Sequence, residues 1–254
     1  MKALWKTIRV MVIAAAWLAM WVIIYFAVGK ELIVPSPWSV FSRLISLAGT
    51  GEFWLDVGGS LLRIIIGFAA AVIIGTLTGI LTARVRILDS FLSPAAKVIR
   101  ATPVASFIIL LFVFVAKNNI PAVTSFLMVL PAVWINVYEG IKSTDRKLLE
   151  MAQVFELKRG TVIRKIYFPH IKPFFIAAVR TGVGLSWKAG IAAEVIVNPR
   201  YGIGSALHDS KIYLETADLF AWTAVVIIIS MILEKVIVTL IRGGRAGADG
   251  NKTS

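Results

Sequence analysis

From Val10 to Val28 the chain runs through 19 consecutive apolar residues, and a helix rising about 1.5 Å per residue makes that run about 28 Å long. This matches the hydrocarbon core of a bilayer. Lys2, Lys6 and Arg9 precede the run as they would precede a secretory signal. The run is nevertheless longer than the roughly 7–15 apolar residues of a cleavable signal, and Gly29-Lys30-Glu31 is a poor cleavage context. A retained span is expected.

The rest of the chain supports a membrane reading. It is 58% hydrophobic and only 16% charged over 254 residues, yet carries a net charge of +13, so its cations must crowd into short stretches between apolar ones. Nucleic-acid binding needs a continuous basic face, for which this composition leaves little surface. Further spans are predicted at 61–82, 95–116, 120–141, 174–197 and 219–241. In the third, the charge-free part 104–116 is short enough to be re-entrant, and it is taken as a full span with Lys97 and Arg100 snorkelling to the headgroups. Of the 27 Lys and Arg residues, 18 fall at the two termini and in the loops after spans two and four, against 5 on the opposite side. By the positive-inside rule both termini are expected in the cytoplasm. The end of the chain, 243–254, reads as a flexible tail.

Cysteine is absent and His170 and His208 are the only histidines, which removes disulfides, thiolate metal sites and cysteine nucleophiles; no metal site is expected. No Gly-x-x-x-x-Gly-Lys-Ser/Thr loop occurs, so the chain has no phosphate cradle of that kind. The dense charged stretch 145–170 shows neither paired metal carboxylates nor a nucleophile with its base, and an enzyme is not expected.

Two small-residue stripes predict close helix packing: Gly67, Ala71, Gly75 and Gly79 in the second span, and Ala178, Gly182, Ser186 and Gly190 in the fifth, whose next member is Glu194. Pro131 should kink the fourth span. Lys188 and Glu194 are ionisable groups inside the fifth span, about 240° apart around a helix, so each needs its own partner or a wet cavity. Together with Arg180 and Trp187 they are candidate lining of a solute pathway, the alternative being structural pairing with another helix. Between spans one and two, Trp38, Phe41, Leu44, Ile45 and Ala48 follow Pro35-Ser-Pro37 at helical spacing and predict a short amphipathic helix on the outer surface.

The loop 142–173 is long, charged and amphipathic. Asp145 can cap a helix whose apolar stripe is Leu148, Leu149, Ala152 and Phe155, and Val162, Ile163, Ile166 and Tyr167 form a second stripe ending at Pro169. Such a pair needs a protein groove or a lipid surface.

Within this loop Glu150-Met151-Ala152, then Glu156, then Ile166-Tyr167-Phe168-Pro169 fall at a distinctive spacing: Glu-Ala-Ala, three residues, Gly, nine residues, Ile, one residue, Leu, Pro. In this EAA motif the chain resembles the permease subunits of binding-protein-dependent ABC importers. Ser60-Leu-Leu-Arg63 with Gly67-Phe68, Arg100-Ala-Thr-Pro103, and Ser186-Trp187 leading to Ala193-Glu194 resemble the nitrate, sulfonate and taurine branch. The chain departs from the pattern at Met151, at Phe168 and at Glu156, where the family has glycine, so Gly160 is expected to supply the turn. The family's Trp-Phe-Gly near the outer end of span three is replaced by Val115-Ala-Lys-Asn-Asn119.

The resemblance implies an all-α membrane domain of six spans with cytoplasmic coupling helices, as in type I importers, and a homodimeric pore. It implies an external solute-binding protein meeting the outer loops near Arg200 to Asp218. It also implies a separate ATPase dimer, which binds the ATP and Mg that this chain does not. ATPase coupling would fall on Glu150, Met151, Ala152, Phe155, Glu156, Gly160, Ile166, Phe168 and Pro169. Lys188 and Arg180 would favour a small anion such as nitrate, a sulfonate or taurine. A self-sufficient ion-coupled carrier using Lys188 and Glu194 is the competing reading; it would require an inverted repeat, and none is visible in the sequence.

Overall fold

The computed structural model describes residues 2–249, and no β-strand occurs among them. The first helix, α1 (Lys2–Val28), contains the opening apolar run, which lies unburied on the outside of the rest; Trp21 anchors it by donating to the Pro35 carbonyl at 3.1 Å and stacking on Phe220. Ser36 then caps α2 (Pro37–Ala48) by accepting from the Ser39 N–H, with proline at the first helical position where its missing donor does no harm. Trp38, Phe41 and Ile45 stay exposed while Leu44 and Ala48 pack inward. Arg43, on the same helix, makes two parallel bonds to Asp218, which raise the guanidinium's pKa.

Three helices make the core: α3 (Gly51–Arg84), α6 (Ile120–Lys142) and α9 (Phe168–Val197), with α6 between the other two. The predicted stripes are the packing faces. A Cβ at Gly67 would lie 2.1 Å from the Ala122 carbonyl oxygen, and one at Gly79 2.7 Å from that of Trp134, so α3 and α6 run parallel at a separation only glycine permits. Gly182 meets Val129 and Gly190 meets Ser125, which sets α9 antiparallel to α6; Ser125 donates to the Ser186 carbonyl at 3.0 Å. Pro131 is buried in α6, which continues through it unbroken.

Because α3 and α6 are parallel, the chain between them must return, and the segment 95–116, expected as one span, does so as part of a bent pair. The segment is two helices, α4 (Arg86–Ala101) and α5 (Val104–Phe114), bent by 111° at Thr102-Pro103. Pro103 has no N–H to donate and pushes the preceding residue out of the helical region, and Thr102 is accordingly extended at φ −79°, ψ 129°. Lys97 and Arg100 therefore lie on the amphipathic α4, before the bend. At 11 residues α5 is about 16 Å long, too short to cross alone.

The loop after α6 forms α7 (Arg146–Val154) and α8 (Arg159–Val162), and a π-helical turn over Ile163–Tyr167 feeds directly into α9. Beyond α9 come α10 (Ile203–Ile212) and α11 (Thr216–Asp249). Residues 243–249 of the expected flexible tail thus continue α11, and 250–254 lie outside the described residues. Among the described residues four helices, α1, α3, α6 and α11, are long and apolar enough to cross a membrane, and the bent α4–α5 pair taken as one would be a fifth. The expected fifth span, 174–197, lies within the 30-residue α9, which carries Lys172, Arg180, Lys188 and Glu194 and is correspondingly less apolar.

Candidate functional site

The loop 142–173 folds over the end of the three-helix core. Asp145 Oδ1 accepts the Lys147 N–H at 2.9 Å and starts α7. The helix ends in a Schellman turn, in which the Leu157 N–H reaches back to the Ala152 carbonyl at 2.9 Å. The residue in the left-handed position is Glu156, at φ 48°, whereas Gly160 sits inside α8 without a positive φ. The expectation that Gly160 takes over the turn is corrected: Glu156 makes it at the site where the importer permeases place glycine. A side chain there crowds the following carbonyl, at a cost of about 1–2 kcal/mol.

Ala152 and Ile166 are the buried anchors of the two segments, at 3% and 9% exposure. Glu150, Met151, Val154, Phe155, Phe168 and Pro169 stay exposed, Val154 and Phe155 at 81% and 70%. The predicted stripe therefore splits, Ala152 facing the bundle and Phe155 facing away from it. His170 ties the end of this segment to the Ser143 carbonyl at 3.0 Å.

The charges of α9 also divide. Glu194 is wholly buried: its carboxylate accepts from Arg63 at 2.7 Å and 3.2 Å, from the Ser60 hydroxyl at 2.6 Å and from the Gly204 N–H at 3.0 Å. Arg63 also donates to the Tyr201 carbonyl, and the Ser60 oxygen accepts the Ile203 N–H at 2.8 Å. One cluster thereby joins α3, α9 and the segment before α10, which includes two strained residues, Asn198 at φ 50° and Tyr201 at φ 94°. A Cβ on Gly204 would come within 2.3 Å of the Glu194 side chain. Instead of a wet cavity, Glu194 has a protein partner for each carboxylate oxygen.

Trp187 is likewise enclosed, 1% exposed, donating to the Val226 carbonyl at 3.1 Å and packed against α11. Lys188 is exposed, on a face of α9 shared with Thr181 and Leu185. Arg180 is exposed and only loosely paired, 3.9 Å from Glu234. Of the four residues considered for a pathway, only Arg180 and Lys188 present their charges outside the fold of this chain.

Ser60 and Arg63 enter the sequence resemblance without a functional role attached to them. The available signal was periodic: Asp56, Ser60 and Arg63 extend the stripe of Gly67 by three- and four-residue steps, putting polar groups on the buried face of α3. At the same end of the bundle a cleft of about 620 Å³ is lined by Glu52, Asp56, Asp209, Glu215 and Asp218 against Lys117 and Arg200, and it includes the outer region expected to receive a binding protein.

Comparison with known proteins agrees with this architecture. Residues 71–243 match the family model described as binding-protein-dependent transport system inner membrane component. The chain is 30% identical over 196 residues to the bicarbonate transport system permease protein of Synechococcus elongatus, covering 76% of this chain and 69% of that one. It is 26% identical over 247 residues to the nitrate import permease protein of a Synechocystis strain, covering 92% and 88%. In fold it is similar to the crystal structure of an amino acid ABC transporter with histidines, with a TM-score of 0.58 at 19% identity over 74% of this chain and 93% of that one.

Proposed function

The chain belongs to the family of inner-membrane components of binding-protein-dependent transport systems, and from that premise we propose how it moves a solute. It is the permease subunit of an ABC importer, a multi-pass membrane protein and not itself an enzyme. Two copies form the pore. A separate ATPase dimer, binding ATP and Mg, docks on the loop 142–173, and an external binding protein delivers the solute at the opposite end. Both termini face the cytoplasm with that loop.

The observation that carries this reading is the arrangement of the loop. Ala152 and Ile166 fix it to the core while Met151, Val154, Phe155 and Phe168 project apolar surface outward, which suits insertion into a groove on a partner. Motion of the partner would pass through Ile166 and the π-helical turn straight into α9, with no flexible linker between. For this to move the pore, the ATPase must hold one pore state more tightly than the other.

The solute is a small anion. The bicarbonate and nitrate permeases named above support this, as do the exposed cations Lys188 and Arg180 on α9. Glu194 serves as a structural brace, which speaks against an ion-coupled carrier built on Lys188 and Glu194. The test is co-purification with uptake: the detergent-solubilised chain should retain an ATPase, and Glu150→Ala should depress ATP-dependent uptake. A chain that never holds an ATPase, or uptake that follows an ion gradient without ATP, overturns the proposal.

A further inference from the structure

At the end of the bundle that bears the coupling loop, α3, α6 and α9 border an open cleft of about 840 Å³. Its walls are apolar, with Ile80, Ile141, Ile171 and Phe175 among them. The charged groups lining it are Arg84, the last residue of α3, and Lys172, near the start of α9; no carboxylate lines it, and neither cation has an ion-pair partner among the described residues. Tyr167 lies beside them.

We propose that this cleft is a binding site for an anionic phospholipid of the cytoplasmic leaflet, with the phosphate between Arg84 and Lys172 and an acyl chain against the isoleucines and Phe175. Three features carry the inference together. Cations at the end of a membrane-spanning helix lie at headgroup depth, where basic pockets between helices recognise anionic lipids. The apolar walls extend from those cations toward the middle of the membrane, in the direction an acyl chain takes. A tyrosine at that level suits the interface, its ring apolar and its hydroxyl wet. A soluble anion would leave the apolar walls wet, and a water-filled channel would gain nothing from walls of isoleucine and phenylalanine. The cleft is lined in part by Ile163, Tyr167 and Phe168, so a bound lipid would brace the coupling segment against the bundle. The inference rests on the membrane-spanning reading of the chain and is independent of the solute and of the ATPase.

The experiment measures thermal stabilisation of the purified full chain in detergent, titrated with phosphatidylglycerol, phosphatidylcholine, or glycerol phosphate without acyl chains. Phosphatidylglycerol should stabilise at lower concentration than phosphatidylcholine, and glycerol phosphate should do nothing. The R84Q/K172Q double variant should weaken the phosphatidylglycerol response roughly tenfold or more, since each cation near a headgroup contributes to binding. I176W, which fills the cleft while keeping both cations, should abolish the preference by excluding the chain, and this gives a second reading should the double variant fold poorly. Equal responses to the two lipids, an effect of glycerol phosphate alone, or a preference that survives both variants would overturn the proposal. So would a disulfide between two copies joined through Ile141→Cys, which would show that a second chain covers the cleft.

Discussion

Arg63 of α3 and Glu194 of α9, 131 residues apart in the chain, meet at 2.7 Å with the carboxylate sealed from solvent. The pair closes the end of the bundle opposite the loop 142–173, because each partner also holds the segment around the start of α10: Arg63 through the Tyr201 carbonyl and Glu194 through the Gly204 N–H. A buried pair with its remaining hydrogen bonds filled costs little to keep and much to break.

Removing one partner should therefore be severe. Glu194→Ala or Arg63→Met leaves a buried charge without its counterpart and should cost about 3–5 kcal/mol. The double replacement R63M/E194L removes both charges and should recover part of that loss. Thermal unfolding in detergent of the two singles and the double decides it, and additive losses would mean that the two residues are not coupled.

Glu156 and Gly160 give opposite expectations. Glu156→Gly releases the left-handed strain at φ 48° and should stabilise the loop by about 1 kcal/mol, seen as slower proteolysis between α7 and α8. Gly160 lies in a helix with nothing within 4 Å of a Cβ, so Gly160→Ala should be neutral or mildly stabilising. Loss of stability in Gly160→Ala would restore the turn to that residue.

Phe155→Ser removes exposed apolar surface from the proposed docking loop without touching the core. Thermal stability should stay within about 0.5 kcal/mol of the native chain, as for other surface changes, while retention of the ATPase falls. Undiminished ATPase retention would place the contact elsewhere on the loop.

Lys188→Gln should lower anion uptake with little change in unfolding temperature, since the side chain is exposed. Trp187→Ala, one residue earlier, should instead destabilise by about 3–5 kcal/mol, because it empties a buried site against α11. A stable Trp187 variant with altered uptake would reverse these two roles.

Gly67→Val places side-chain atoms into the Ala122 carbonyl and should cost at least the 1–3 kcal/mol typical of overpacking, measured by thermal unfolding. Gly184→Ala, where nothing lies within 4 Å, is the control and should be tolerated.

The sequence by itself determined what depends on local chemistry. Apolar runs and small-residue stripes are read one helix at a time, and they placed α1, α3, α6 and α11, the packing faces of α3 and α9, and the two loop segments begun by Asp145 and ended near Pro169. Pro103 was also visible, but its effect depends on whether neighbouring packing holds the helix together across the break, and with α3 parallel to α6 the chain instead bends there. The tertiary structure alone decided the pairings. Nothing local links Glu194 to Arg63 or Ser60, since their contact depends on how α9 is rotated against α3, and that rotation is set by Gly190 meeting Ile64 and Ser125. The same rotation turned Trp187 inward and Lys188 outward. The left-handed backbone at Glu156 belongs to the Schellman turn that ends α7, and the tertiary structure decided only that Glu156, not Gly160, makes it.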